Sequence, residues 1–158
     1  MISICIPTYN GGKYLEACLQ SVCSQTFTDF EIIICDDCSK DNTLEIIKAF
    51  QQKDKRIKLF VNEKNFGLVN NWNKCVELAK GEWIKFVFQD DLILPDCLQK
   101  MLQATNNNSH LVVCEREFIF EESVPNEIRK KYDEVPRIYQ FLNSEKTQYF
   151  STKQVALL

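Results

Sequence analysis

The chain has 158 residues, of which 45% are hydrophobic and 26% charged, proportions typical of a single globular domain with a sizeable core. The formal net charge of −3 and the pI of about 5.3 give no basic surface for nucleic-acid binding. No apolar run approaches the roughly 18 residues that span a bilayer. The N-terminal MISICIPTYN lacks the basic and long apolar regions of a signal peptide. We therefore expect a cytoplasmic protein without a transmembrane segment, and peripheral association at the inner membrane face stays open.

Apolar strand patterns alternate with helical stripes from the N-terminus onwards. Strands are predicted at 2–6, 30–35, 57–61, 83–88 and 111–114. Helices are predicted between them, beginning near Leu15, Asp41 or Asn42, Leu68 and Pro95. Near-continuously apolar strands that alternate with helices predict an α/β fold, with a mainly parallel sheet covered by helices on both faces. The alternation stops near residue 115, so we divide the chain into a core, 1–114, and a second region, 115–158.

The cysteines and the histidine do not suggest a metal centre. Most of the eight cysteines occupy positions where a small apolar residue would fit, and we interpret them as reduced core residues. Cys35 and Cys38 form the only CxxC, whereas a structural zinc site usually needs a second such pair. His110 is the sole histidine and is interpreted as a loop residue.

Polar residues collect where the predicted strands end. The segment FVFQDD, 86–91, runs an apolar strand into two adjacent carboxylates, and the earlier strands are followed by PTYNGG, DDCSKD and NEKNFG. The carboxyl ends of parallel strands share one edge of a sheet, which is where ligands bind in open α/β folds. Any single cluster could consist of turn residues and helix caps, as we expect for Asp41. The convergence of two acid pairs favours a ligand site.

The motifs restrict the ligand. The sequence has neither GxGxxG nor GxxxxGK[ST], which argues against a dinucleotide fold and a P-loop. A response-regulator receiver would place its acid pair after the first strand, where this chain has Thr8 and Tyr9. A nucleotide that carries a diphosphate fits better, because magnesium or manganese can bind carboxylate oxygen on one side and phosphate oxygen on the other. Such a cation would also compensate the charge of Asp90 and Asp91.

Two blocks of the sequence resemble the family 2 glycosyltransferases, which have the GT-A fold. SICIPTYNGGKYLEACLQSVCSQTFTDFEIIICDDCSKDNT is similar to the opening signature of that family, and NFGLVNNWNKCVELAKGEWIKFVFQDD is similar to its second block, which ends in the acidic metal motif DxD. The resemblance covers about residues 2–114 and is specific because both blocks occur together. It implies an inverting transferase that uses a nucleotide-activated sugar, most often a UDP-sugar, for a glycan or lipid-linked acceptor in surface polysaccharide synthesis.

The resemblance also implies roles for individual residues. Thr8 and Tyr9 match positions that frame the base, and Asp37 matches the aspartate that binds uracil. Asp91 would be the direct ligand of manganese or magnesium, with Asp90 facing the ribose or sugar. The predicted nucleotide-binding residues are Pro7, Thr8, Tyr9, Asp36, Asp37, Asn65, Gly67 and Asp90, and the predicted metal ligands are Asp91 and Asp90.

The chain departs from the family pattern at three points. Gln89 stands where many members carry a third acid, and Trp72 stands where many have an arginine; Trp72 can equally be a core aromatic. The catalytic base of the family would fall beyond Leu158. We therefore expect residues 115–158 to be the start of the acceptor-side region, and either the rest of that half is missing or the chain is a truncated gene product. Glu115, Glu117, Glu121 and Glu122 are available as substitutes, but their spacing identifies none as the base. The alternatives are a module that binds a nucleotide-sugar without transferring it and, more remotely, a nucleotidyltransferase.

Overall fold

Four parallel strands form the main sheet of the computed structural model, which describes residues 1–106, 109–133 and 153–157. The sheet has the order β3-β2-β1-β4. Its strands are β1 (Ile2–Thr8), β2 (Phe30–Asp36), β3 (Ile57–Val61) and β4 (Trp83–Phe86). β1 lies at the centre, where it pairs with both β2 and β4. The first four predicted strands are therefore confirmed, each within two residues at its ends.

Helices cover both faces of this sheet, as predicted. They are α1 (Leu15–Cys23), α2 (Thr43–Lys53), α3 (Leu68–Leu78) and α4 (Cys97–Gln103). A fifth helix, α5 (Asn126–Asp133), lies in the region after residue 114. On one face Leu19 and Ile47 pack against Ile4 and the other alternate residues of β1 and β2. On the opposite face Cys75 of α3 packs against Cys5. Each large aliphatic side chain that is fully buried here contributes about 1.5–3 kcal/mol to folding.

The connections create a switch in strand order between β1 and β4. The chain moves outward from β1 to β2 and β3, and α3 then returns it to the other side of β1. The loops that follow β1 and β4 therefore leave the sheet in opposite directions and open a crevice at its carboxyl edge. This crevice is where the polar loops predicted from the sequence converge.

A small second sheet follows the main one. Its strands are β5 (Asp91–Ile93), β6 (Glu115–Ile119) and β7 (Lys153–Leu157), in the order β5-β7-β6. β5 lies within the predicted core, whereas β6 and β7 lie in the region after residue 114. The predicted strand at 111–114 is wrong, because β6 begins only at Glu115 and Leu111 is 77% exposed. The apolar run LVVC therefore lacks the burial that its composition suggested.

A buried carboxylate joins three elements at the amino ends of the strands. Glu31 accepts hydrogen bonds from the Ser3 hydroxyl at 2.6 Å, the Lys58 ammonium at 2.7 Å and the Lys80 N–H at 2.8 Å. Burial raises the pKa of Glu31, but these donors outweigh it and hold the pKa below the ordinary value. The Gly81 N–H donates to the Ser3 hydroxyl oxygen at 2.7 Å, so the turn before β4 is fixed to the same network.

The helices of the described ranges are too short or too polar to cross a bilayer. Five of the eight cysteines are buried, which confirms that most of them are core residues; they are Cys5, Cys18, Cys35, Cys75 and Cys97.

Candidate functional site

Thr8 and Asp36 face each other at the carboxyl ends of β1 and β2, where the register pairs them directly. The Thr8 hydroxyl donates to Oδ1 of Asp36 at 3.2 Å. Ser39 donates twice to the same carboxylate, from its hydroxyl at 2.5 Å and from its N–H at 3.0 Å. Both Thr8 and Asp36 are buried, as is Pro7 beside them. Thr8 and Asp36 therefore fix the loop after β2 from its buried side, and neither residue lines the open crevice.

Asp37 fixes the loop that precedes α3. Its Oδ1 accepts from the Asn62 amide at 2.8 Å and from the Phe66 N–H at 2.8 Å, and its Oδ2 accepts from the Gly67 N–H at 2.9 Å. Each carboxylate oxygen has two lone pairs, so Oδ1 is saturated and Oδ2 keeps one free position. Asp37 is also only 3% exposed. The Asp37 carboxylate therefore holds the loop 62–67 in place, in addition to any contact that it makes with a ligand.

The loop 62–67 needs a glycine at its end. Gly67 has a φ of +83°, which L side chains rarely adopt, and this conformation directs its N–H toward Asp37. The Asn65 side chain accepts from the same N–H at 3.0 Å. In the first turns of α3, the Asn71 amide donates to the Cys35 carbonyl at 2.9 Å and so ties the helix to the sheet edge. The loop is held over the ends of β1 and β2 by these contacts.

Gln89 connects the two sides of the switch point. Its Oε1 accepts from the Tyr9 N–H at 2.9 Å, and its Nε2 donates to the Tyr9 carbonyl at 3.2 Å. A side chain on Gly11 would collide with Gln89, which explains the glycine there. The Tyr9 residue itself stays 46% exposed. The neutral residue at the first position of the acidic motif thus positions the loop after β1.

The two acids of the motif lie in different environments. The Asp91 N–H donates to the Phe88 carbonyl at 2.9 Å, which closes a turn with Gln89 and Asp90 at its centre. Asp91 begins β5 and is 3% exposed, whereas Asp90 is partly exposed. Burial, together with the charges of Asp91 and Asp90, raises the pKa of the Cys18 thiol, so both carboxylates lie close enough to α1 to act on this buried residue. Asp90 is the more accessible acid in this conformation.

Trp72 belongs to an aromatic cluster beside this turn. Its ring centroid lies 4.7 Å from that of Phe88 and 5.8 Å from that of Phe86. Such stacked rings contribute about 0.5–1.5 kcal/mol beyond their buried area. The interpretation of Trp72 as a packing aromatic is therefore supported.

The loop after β1 is also tied to the start of α2. The Thr43 hydroxyl oxygen accepts from the Gly11 N–H at 2.8 Å, and Asp41 accepts from the Gly12 N–H at 2.9 Å and from the Thr43 N–H at 3.1 Å. The N-cap residue of α2 is Asn42, whose side chain makes no cap hydrogen bond, so the prediction of a cap at Asp41 is wrong by one residue. Asp41 instead accepts from the N–H of Thr43, the first residue of the helix, from the position before the cap.

The structure brings the predicted site residues to one edge but divides them into two layers. The accessible residues are Tyr9, Asn65, Gly67 and Asp90, and the buried ones are Pro7, Thr8, Asp36, Asp37 and Asp91. Sequence reasoning missed the supporting roles of Ser39, Asn62, Asn71 and Gln89. The first two lie in the polar loops quoted above, which was the available signal. Asn71 lies on a helix between apolar positions and gave no signal of its own.

The fold and this edge define a GT-A glycosyltransferase domain, and the comparisons agree. The model of "Glycosyl transferase family 2" matches residues 3–155, so the chain belongs to that family. The chain is 34% identical over 126 residues to "Glycosyltransferase GlyG" of Streptococcus pneumoniae, covering 80% of this chain and 42% of that protein. It is 38% identical over 102 residues to a chondroitin synthase of Escherichia coli, covering 65% of this chain and 15% of the synthase.

A solved structure supports the same family assignment. The crystal structure of S. aureus TarS 1–349 in complex with UDP-GlcNAc superimposes with a TM-score of 0.67 at 30% identity, covering 78% of this chain and 36% of TarS 1–349. The chain thus spans less than half the length of each of these proteins.

Proposed function

We propose that this chain binds a UDP-sugar for an inverting glycosyltransferase that acts in cell-surface polysaccharide synthesis, with a glycan or lipid-linked molecule as acceptor. The observation that carries the proposal is the meeting of the two acid-bearing turns, 36–39 and 88–91, with Tyr9 at the switch point of the sheet. The chondroitin synthase and the TarS complex with UDP-GlcNAc support the substrate class and the setting.

The base would lie against Tyr9 and the loop 65–67. Tyr9 offers an accessible ring, and rings of this kind stack on flat bases. Asp37 would accept the uracil N3 proton through Oδ2, because Oδ1 is already saturated by the Asn62 and Phe66 donors. We expect Thr8 and Asp36 to act indirectly, by keeping the loops on either side in place.

The diphosphate would bind with a divalent cation at Asp90 and Asp91. The residue types suit such a cation, because two adjacent carboxylates offer hard oxygen ligands of the type that magnesium and manganese prefer. Among the described residues no group of three acids, histidines or cysteines could hold a metal alone. A cation here would therefore take its other ligands from the nucleotide phosphates and water. Such a cation would neutralise the charge of the departing nucleotide.

The acceptor hydroxyl must lose a proton during transfer, and one of the candidate bases is poorly suited. Glu121 accepts from the Tyr14 hydroxyl at 2.6 Å and pairs with Lys13 at 2.5 Å. The hydrogen bonds from Lys13 and Tyr14 hold its pKa below the ordinary value. Because a general base works best with a pKa near the operating pH, we do not assign Glu121 that role.

Calorimetric titration of UDP with and without manganese tests the proposal. We expect micromolar binding, about −8 kcal/mol, in the presence of manganese and much weaker binding without it. CDP and GDP serve as controls for the role of Asp37. Equal affinity for CDP and UDP would exclude the uracil contact, and the lack of any UDP binding would exclude the donor site. A transfer assay with radiolabelled UDP-sugars separates a transferase from a module that only binds.

A further inference from the structure

A lysine of α3 is connected to the carboxylate of Asp37 through one buried side chain. The Nζ of Lys74 donates to Oδ1 of Asn62 at 2.6 Å, and the Nδ2 of Asn62 donates to Oδ1 of Asp37 at 2.8 Å. Asn62 is 3% exposed and directly follows β3, whereas Lys74 is half-buried in the second turn of α3. On the basis of the UDP-sugar function proposed above, we propose that Lys74 and Asn62 are positioning residues that make the site selective for a base with an N–H donor, as uracil has at N3.

Three neighbours fix the orientation of the Asn62 carboxamide. An ammonium group can only donate and a carboxylate can only accept, so Lys74 must meet the oxygen of Asn62 and Asp37 must meet its NH₂ group. The second proton of this NH₂ group is donated to Oδ1 of Asn71 at 3.1 Å. Asn71 is oriented in turn by the Cys35 carbonyl, which accepts from its amide at 2.9 Å. Both protons of the Asn62 amide are therefore used in a single orientation.

This arrangement decides which part of Asp37 is left for a ligand. Asn62 and the Phe66 N–H together occupy Oδ1, and the Gly67 N–H occupies one lone pair of Oδ2. The remaining lone pair of Oδ2 can accept a hydrogen bond but cannot donate one. The N3 of uracil carries a proton for it, whereas the N3 of cytosine carries a lone pair that would face the carboxylate. A firmly held Asp37 therefore favours a uracil nucleotide over a cytosine nucleotide.

Lys74 also brings a positive charge to this edge of the sheet. Asp36 and Asp37 are consecutive carboxylates that are 0% and 3% exposed, and burial of a carboxylate is costly unless charges or hydrogen bonds compensate it. Because hydrogen bonds in a chain polarise one another, the ammonium of Lys74 strengthens the bond that Asn62 donates to Asp37. Removal of the ammonium would leave the Asn62 oxygen without this donor and would weaken the hold on Oδ1 of Asp37.

Two nucleotides distinguish this role from a general structural one. A change that only loosened the site would weaken UDP and CDP to the same extent, because both carry the same ribose and diphosphate. A change that loosened Asp37 would weaken UDP selectively, because only uracil donates to the carboxylate. The informative quantity is therefore the ratio of the two affinities, measured by calorimetry on the full chain in the presence of manganese.

Three substitutions separate the hydrogen bond of Lys74 from its charge. Lys74→Met removes both and should lower the preference for UDP over CDP about fivefold, while the affinity for CDP stays within about twofold of the wild type. Lys74→Gln keeps a donor without the charge and should have an intermediate effect. Lys74→Arg keeps both and should retain most of the preference. Lys48→Met, at an exposed position of α2, is the control and should bind both nucleotides as the wild type does.

A measurement without nucleotide checks the connection from Lys74 to the loop 62–67. The N–H groups of Phe66 and Gly67 donate to Asp37. Their hydrogen exchange should therefore be severalfold faster in Lys74→Met and unchanged in Lys48→Met. Exchange that is equally slow in Lys74→Met and the wild type would overturn the proposal.

The binding results separate this proposal from the proposed function. A wild type that prefers UDP and a Lys74→Met variant that keeps this preference, or that loses UDP and CDP equally, would overturn the role of Lys74 and leave the proposed function in place. A wild type that does not bind UDP would overturn the proposed function and the selectivity with it. If Lys74→Met does not fold, the comparison of Lys74→Gln with Lys74→Arg decides the same question.

Discussion

Gln89 holds the main chain of Tyr9 at two points, accepting from its N–H at 2.9 Å and donating to its carbonyl at 3.2 Å. A carboxylate at this position could make only the first of these bonds, because it has no proton to donate. A second carboxylate oxygen would face the Tyr9 carbonyl and repel it. The neutral side chain at the first motif position is therefore suited to the loop that it supports.

Replacing Gln89 by methionine should loosen the loop after β1. Gln89→Met keeps the length of the side chain but removes both hydrogen bonds, each worth about 0.5–1.5 kcal/mol. We expect the affinity for UDP with manganese to fall about fivefold or more in calorimetry. Gln20→Met, at an exposed position of α1, is the matched control and should bind as the wild type does. An unchanged affinity in Gln89→Met would mean that the loop does not depend on this contact.

Asp37→Asn should lower stability as well as affinity. The carboxylate accepts three hydrogen bonds from Asn62, Phe66 and Gly67, and the carboxamide must turn its NH₂ group toward at least one of these donors. Hydrogen bonds to charged groups contribute about 1.5–3 kcal/mol, so we expect the free energy of unfolding to fall by about 2 kcal/mol.

Urea unfolding without nucleotide measures this effect separately from binding. Glu63→Gln, an exposed acid in the same loop, should leave the midpoint in place. A stable Asp37→Asn variant that binds UDP weakly would assign the carboxylate to the ligand alone.

The fold followed from the sequence because its strands are apolar along their whole length and its loops are polar. Ile32, Ile33 and Ile34 are all buried, which is the pattern that both-face burial produces. The run LVVC at 111–114 has the same composition but does not form a strand. Composition alone could not distinguish an apolar run that is covered by the fold from one that leaves Leu111 exposed.

The site was predictable in position but not in detail. The ends of parallel strands must meet, so Thr8, Asp36 and the acids of 90–91 could be placed at one edge. Which carboxylates face outward depends on loop conformation, such as the positive φ of Gly67. The burial of Asp36 and Asp91 and the contact between Gln89 and Tyr9 depend on side-chain packing across loops that are distant in the sequence.

The Glu31 network should make stability depend on pH. Its hydrogen bonds hold the pKa of Glu31 below the unfolded value of about 4.3. A group with a depressed folded pKa stabilises the native state above its unfolded pKa, and this stabilisation is lost as the pH falls toward the folded pKa. Glu31→Gln should therefore be less stable than the wild type at pH 7, and the difference should shrink below about pH 4.

Urea unfolding at pH 7 and at pH 3.5 measures the two differences, with Glu16→Gln, exposed on α1, as the control. A deficit in Glu31→Gln that is the same size at both pH values would show that the charge of Glu31 is not what stabilises the network.

The assignment of the metal ligand predicts a difference between the two acids of the motif. Asp91→Asn keeps the shape of the side chain but replaces a charged ligand by a neutral carboxamide, which binds hard cations less strongly. We expect manganese to increase the affinity of the wild type for UDP. In Asp91→Asn this increase should be at least tenfold smaller, which corresponds to about 1.4 kcal/mol. Asp90→Asn should lose less, because Asp90 is proposed to face the ribose or sugar.

Asp96→Asn removes a nearby exposed acid that pairs with Lys100, and it should behave as the wild type does. Calorimetry with and without manganese on the three variants makes the comparison. Since Asp91 is buried and Asp90 is accessible, the reverse order is the informative alternative: a larger loss in Asp90→Asn would make Asp90 the direct ligand and leave Asp91 with a role in holding the turn.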